Sequence, residues 1–169
     1  GYFNLGYWSH PKDLSKESKK KWLDDVRHRI RPAYDMAKKK GIFHKAYLYG
    51  CDEIRSNYFG NIKWALTQLK REFPGVPIST TAYDRGFGVG TPLSQMDWFT
   101  PTTDMYDKDF GRIGQSRAGG HQVWWYIACG QQAPRANLFV EGQPVEARQL
   151  MGAQTVKYRP DGFLYYQVS

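Results

Sequence analysis

The order of elements along this chain limits its fold more than any other feature. Helix-like and strand-like segments alternate, and the turn-rich stretches are longest after the strands. Trp22, Val26, Ile30, Ala33, Tyr34 and Ala37 recur at three- and four-residue intervals and predict a helix. Ser15 or Ser18 can cap it, Gly41 stops it, and Pro32 is expected to kink or divide it. Ala46-Tyr47-Leu48-Tyr49-Gly50 is short, apolar and aromatic, the pattern of a buried parallel strand. Ile62, Trp64, Ala65, Leu66, Leu69 and Phe73 predict a second helix that Pro74-Gly75 ends. Further strands are expected at 76–81, 97–100, 123–128 and 162–166, with helices over about 106–118 and 145–158. Asn4 to Trp8 reads as either a strand or a loop leaving one, so five strands are counted. Such alternation implies parallel strands joined by right-handed crossovers, in an open doubly wound sheet or in a barrel.

Size and composition narrow this further. A chain of 169 residues can bury a single core, yet it is shorter than the roughly 250 residues of a complete (β/α)₈ barrel. No apolar run reaches the roughly 18 residues of a membrane helix, and Gly1-Tyr2-Phe3-Asn4 has no signal-like character. The net charge of +8 raises the question of nucleic acid, but Lys19-Lys20-Lys21 and Lys38-Lys39-Lys40 bracket the first helix and read as its solvated faces. No nucleic-acid partner is expected. Cys51 and Cys129 lack metal, redox or disulfide spacing and read as free thiols. His10, His28, His44 and His121 are scattered, so neither a metal nor a cofactor is called for. Six Trp and 12 Tyr supply many flat rings with polar handles, which suit the C–H faces of sugars as well as a core.

In either parallel architecture, chemistry collects at the carboxyl ends of strands. The acidic pair Asp52-Glu53 stands at one such end, and Tyr83 and Asp84 stand at another. Two adjacent carboxylates repel, which favours one acid and one anion side by side, a pairing suited to glycosidic bonds. The same two residues could instead cap the helix that follows and complement its dipole. The loop Gly86-Phe87-Gly88-Val89-Gly90 invites a phosphate-binding reading, although its spacing fits neither a dinucleotide fingerprint nor a P-loop. On the strand at 123–128, alternation places Val123, Trp125 and Ile127 on one face and Trp124, Tyr126 and Ala128 on the other. If the first set lies under helices, the second lines a barrel or its mouth, and Trp124 and Tyr126 become candidates for a sugar platform.

Four stretches, in order, carry a resemblance: 46–53, Trp124-Trp125-Tyr126-Ile127-Ala128-Cys129-Gly130, Pro134-Arg135-Ala136-Asn137-Leu138-Phe139, and Asp161-Gly162-Phe163-Leu164-Tyr165-Tyr166. Together they are similar to the catalytic domain of glycoside hydrolase family 123, over nearly the whole chain from about Ala33 onward. The resemblance implies a β-N-acetylgalactosaminidase on a (β/α)₈ TIM-type barrel, acting with retention through the substrate's own 2-acetamido group. By motif position, Asp52 would orient the acetamide N–H and Glu53 would protonate the leaving oxygen and then activate water. Trp98, Tyr83, Trp124, Tyr126, Asn137 and Tyr166 would form the walls and hydrogen-bonding positions of the sugar pocket. The implied partner is a glycan or glycolipid ending in β-linked N-acetylgalactosamine, and the family's habit is bacterial, exported or periplasmic.

Two positions depart from the family pattern: Ile54 follows the acidic pair in place of proline, and Tyr165-Tyr166 stands where Tyr-Trp is common. Matched to the family, the acidic pair closes the fourth strand. The chain is then expected to supply strands four to eight of a partial barrel. The earlier strands and a preceding β-sandwich would be missing, to be supplied by other chain segments or a partner. Two rival readings are a non-catalytic carbohydrate-binding relative and a doubly wound nucleotide-binding domain using the loop at 86–90. The second requires the strand order to reverse beside that loop.

Overall fold

The computed structural model describes residues 1–131, 135–137 and 144–165. Strands β1 (Phe3–Trp8), β2 (Ala46–Gly50), β3 (Ile78–Thr80), β4 (Trp98–Phe99) and β5 (Gln122–Val123) form one sheet in chain order, with every pair parallel. Strands β6 (Trp125–Tyr126) and β7 (Phe163–Leu164) form a second parallel pair. Only Trp124 separates β5 from β6, and the ladder continues across it. The Trp124 N–H donates to the Phe99 carbonyl at 2.8 Å, that of Tyr126 to Pro101 at 3.0 Å, and that of Trp125 to Gly162 at 3.1 Å. The described strands therefore make one continuous path of six positions in chain order. Because that order nowhere reverses among the described residues, the doubly wound arrangement lacks its switch point.

Asn4 to Trp8 proves to be part of a strand, which corrects the count from five to six. The register of β1 against β2 shifts between Asn4 and Tyr7. That irregularity breaks the two-residue alternation by which a strand is recognised in a sequence.

Helix α1 (Lys16–Lys39) starts at Ser15, whose hydroxyl accepts the Ser18 N–H at 3.2 Å. It runs unbroken through Pro32, contrary to the expected division. Pro32 is on the exposed face, so the carbonyl deprived of its N–H partner faces water. Helix α2 (Phe59–Glu72) is tied to α1 at its end, where Glu72 accepts Arg27 at 2.8 and 2.7 Å and its carbonyl accepts Arg31 at 2.7 Å. The weak helix expected near 106–118 is two, α3 (Thr103–Lys108) and α4 (Phe110–Ala118). The last helical run comprises α5 (Pro144–Arg148), a π-helical segment (Gln149–Gln154) and α6 (Thr155–Tyr158).

Alternation along the strands divides the molecule into two faces. Leu5, Leu48, Ile78, Phe99, Val123, Trp125 and Ile127 share one apolar core with Trp22, Val26 and Ile30 of α1, Ile62, Leu66 and Leu69 of α2, and Tyr106 and Ile113. Burial of such side chains stabilises by about 1.5–3 kcal/mol each. The opposite face presents Tyr47, Tyr49, Trp98, Trp124 and Tyr126. The expected division of the 123–128 strand thus holds in that Val123, Trp125 and Ile127 join the helix-packed core while Trp124 and Tyr126 lie on the opposite face.

Candidate active site

Beyond β2 the chain turns through two left-handed residues, Cys51 at φ 52° and Glu53 at φ 51°. Each costs on the order of 1–3 kcal/mol in a residue with a Cβ. In extended backbone, adjacent side chains point to opposite faces. Here the left-handed turns bring both Asp52 and Glu53 onto one cavity. Neighbouring strands hold the turn in place. The Cys51 N–H donates to the Trp8 carbonyl at 3.0 Å, the Thr80 hydroxyl to the Cys51 carbonyl at 3.1 Å, and the Glu53 N–H to Thr81 Oγ1 at 3.1 Å.

The carboxylates have different partners. Tyr49 Oη and Thr81 Oγ1 both donate to Asp52 Oδ1, each at 2.6 Å. Burial, and then the bond to Asp52, push the Tyr49 hydroxyl far above its ordinary range, so it remains a donor. Tyr126 Oη donates to Glu53 Oε1 at 2.6 Å, and burial followed by that bond raises this hydroxyl likewise. Tyr83 also engages Glu53, with its hydroxyl raised first by burial and then by this bond. Neither carboxylate caps a helix: α2 begins at Phe59, after Tyr58, with no side-chain cap. The cap alternative therefore falls away.

The cavity these groups face measures about 570 Å³, with Tyr47, Tyr49, Tyr126, Leu164 and Tyr165 in its walls beside the carboxylates. That volume is within the range of small-molecule sites and admits a sugar ring. Of the residues singled out in the sequence, Asp52, Glu53 and Tyr126 meet here. Tyr83 reaches Glu53 from an adjoining cavity. Trp98 and Trp124 are brought to each other, stacked at 4.7 Å and 17°, with Tyr2 against both. They are 5% and 8% exposed and line neither of these cavities. Trp124 precedes Tyr126 by two residues on the same face, and so lies about 6.6 Å deeper along the strand. Its ring packs on Gly162, where a Cβ would come within 2.3 Å of it. The Asn137 side chain donates to the Ala128 and Gln131 carbonyls at 2.8 and 2.6 Å, which ties it to the residues that follow β6. Tyr166 lies outside the described residues, and its neighbour Tyr165 lines the cavity.

Sequence reading passed over Tyr47, Tyr49, Thr81 and Tyr165. Strand alternation was a usable signal for the first two, since Tyr47 and Tyr49 share the face opposite Leu48. Thr81 had none, because only the parallel register, which sets Gly50 beside Thr80, brings it to the acidic pair.

The glycine-rich loop has a different use from the phosphate cradle considered above. Its N–H groups already hold an anion of the chain itself: Asp84 is buried, and its carboxylate accepts Gly86 N at 2.9 Å, Gly88 N at 3.0 Å and the Thr91 hydroxyl at 2.7 Å. Among the described residues, no three His, Cys, Asp or Glu side chains converge as metal ligands. No described helix is long and apolar enough to cross a membrane.

The two thiols should react differently. Cys51 is buried, and that burial raises its thiol well above the ordinary range. Cys129 is exposed and sits in the walls of both cavities. Iodoacetamide is expected to modify Cys129 alone in the folded protein, with substrate protecting it. Peptide mapping by mass spectrometry, with and without substrate, checks both statements.

No curated protein matches this chain. The model of the glycoside hydrolase 123 catalytic domain matches residues 13–169, a span that holds both carboxylates and every wall of the cavity except Asn4. By that match the chain belongs to the glycoside hydrolase 123 family.

Proposed function

We propose that the protein is a retaining glycosidase that releases terminal β-linked N-acetylgalactosamine from a glycan or glycolipid, with the substrate's acetamide as nucleophile. On this reading the sheet is an arc of six consecutive strands of a (β/α)₈ barrel, with the acidic pair at its carboxyl-end mouth. Among the described residues, sequential parallel order and helices that share one core with the sheet support that reading.

One observation carries the chemistry. Both hydroxyl donors to Asp52 converge on Oδ1, which among the described residues leaves Oδ2 for a substrate N–H. An anion so placed orients the acetamide and offsets the positive charge that grows on it. As the acetamide oxygen bonds to the anomeric carbon, the bond to the leaving oxygen breaks and takes a proton from Glu53. The resulting oxazolinium keeps its N–H on Asp52. Glu53, now a carboxylate, removes a proton from water as that water attacks the anomeric carbon and reopens the ring. Two displacements on one carbon retain its configuration, and no protein nucleophile is required. Adjacent carboxylates suit this scheme, because neither has to reach across the sugar as in two-carboxylate enzymes.

The test is a series of nitrophenyl β-glycosides whose 2-acetamido group carries none, one, two or three fluorines. Fluorine draws electrons from the carbonyl, so kcat/KM is expected to fall steeply along the series. A rate indifferent to fluorination would assign the nucleophile to the protein. Binding of the unsubstituted glycoside without turnover would favour the non-catalytic carbohydrate-binding relative.

A further inference from the structure

We propose that Asn4 and Tyr47 together hold the hydroxyl on carbon 3 of the sugar, and so restrict the protein to sugars that carry nothing on that oxygen. This rests on the glycosidase reading above. The two residues are partners in the register of β1 against β2 and line the same cavity as the acidic pair. Asn4 precedes the span that the family model matches, so its place in the site follows from geometry alone.

Asn4 bridges the ladder where the register of β1 shifts. Its Oδ1 accepts the Gly6 N–H and the Tyr49 N–H, each at 3.1 Å. Two donors on one atom fix which end of the amide is oxygen, and they leave Nδ2 without a partner among the described residues. Tyr47 is held in a similar way. Its ring leans on Trp98, with 5.5 Å between centroids, and burial raises its hydroxyl above the ordinary range. That hydroxyl also has no hydrogen-bond partner among the described residues. The wall therefore carries a fixed amide donor beside a protonated phenol that can donate or accept. A sugar hydroxyl, which does both, satisfies the two at once.

Position selects the hydroxyl. Tyr47 precedes Tyr49 by two residues on one face, and so lies about 6.6 Å deeper along the strand. Tyr49 in turn donates to Asp52, which places the pair of polar groups below Asp52 on the wall made by β1 and β2. Glu53 is held instead by Tyr126 of β6. With the acetamide of carbon 2 on Asp52 and carbon 1 beside Glu53, the next group around the ring on the Asp52 side is the hydroxyl of carbon 3. A glycan extended at that oxygen must first lose the extension to another glycosidase.

The experiment uses the full chain and the nitrophenyl β-glycosides of N-acetylgalactosamine, its 3-deoxy form and its 6-deoxy form. The native protein is expected to favour the parent over the 3-deoxy glycoside by about 10²-fold in kcat/KM, about tenfold for each hydrogen bond lost. Tyr47→Phe, which keeps the ring on Trp98, and Asn4→Ala should each lower that ratio about tenfold and leave the ratio of parent to 6-deoxy glycoside unchanged. A merely structural role would slow all three substrates alike, and Tyr47→Phe decides by itself if Asn4→Ala does not fold. Equal native rates on the parent and 3-deoxy glycosides, a 3-deoxy ratio unmoved in the variants, or a fall in the 6-deoxy ratio instead would overturn the assignment while sparing the glycosidase reading. No turnover of the parent glycoside would overturn both.

Discussion

Glu53→Gln is expected to lower kcat/KM by about 10³-fold on a substrate with a sugar leaving group, within the 10²–10⁴ that a positioned general acid–base contributes. The substitution keeps the shape of the side chain, and the amide oxygen can still accept Tyr126 Oη, which donates to Oε1 at 2.6 Å. What disappears is the transferable proton. A nitrophenolate leaves without protonation, so its glycoside should lose less in the first step. The loss then shifts to the step in which Glu53 activates water, and the intermediate should accumulate as a burst of nitrophenol. Steady-state and pre-steady-state rates on the two substrates check this. Activity near that of the native protein would remove Glu53 from the role.

Gly50→Ala is expected to cost more stability than any other added methyl at the end of β2. A Cβ at Gly50 would stand 1.9 Å from the Trp8 carbonyl oxygen and 2.6 Å from two atoms of its ring. Trp8 is fully buried and pairs with Gly50 in the register of β1 against β2, so neither side can give way cheaply. Overpacking of this kind costs about 3 kcal/mol or more, which for a chain of this length lowers Tm by about 6–12 °C. Gly114→Ala is the contrasting control, since nothing lies within 4 Å of its Cβ in the middle of α4. It should be neutral or stabilise by up to about 1 kcal/mol. Calorimetry on the three proteins checks the pair. Equal melting temperatures would mean that β1 does not pack on Gly50 in solution.

Much of the architecture was legible because its causes are local. Helices α1 and α2 follow from three- and four-residue spacing, and Ser15 caps α1 through its own side chain. β2 follows from five apolar and aromatic residues between breakers. β1 was ambiguous because the shift in its register spoils the alternation. Pro32 read as a break because sequence does not reveal that its face is solvated. Of the candidate site residues, Asp52, Glu53 and Tyr126, singled out from strand ends and alternation, come together at one cavity, whereas Trp98 and Trp124 stack on each other away from it. Residue type and face did not say how far each lies below the mouth, since that depends on how neighbouring strands are staggered.

The sequence by itself determined that strands and helices alternate, that an acidic pair follows the strand at 46–50, and which face of each element is apolar. These properties depend on residues close together in the chain. Only the tertiary structure decided that the strands run in unbroken sequential order, that Thr81 and Tyr49 meet on one oxygen of Asp52, and that Glu53 divides two cavities. Each of these depends on parallel register across crossovers of dozens of residues. It also depends on two left-handed residues, Cys51 and Glu53, which the rest of the fold holds in a conformation that their own side chains disfavour.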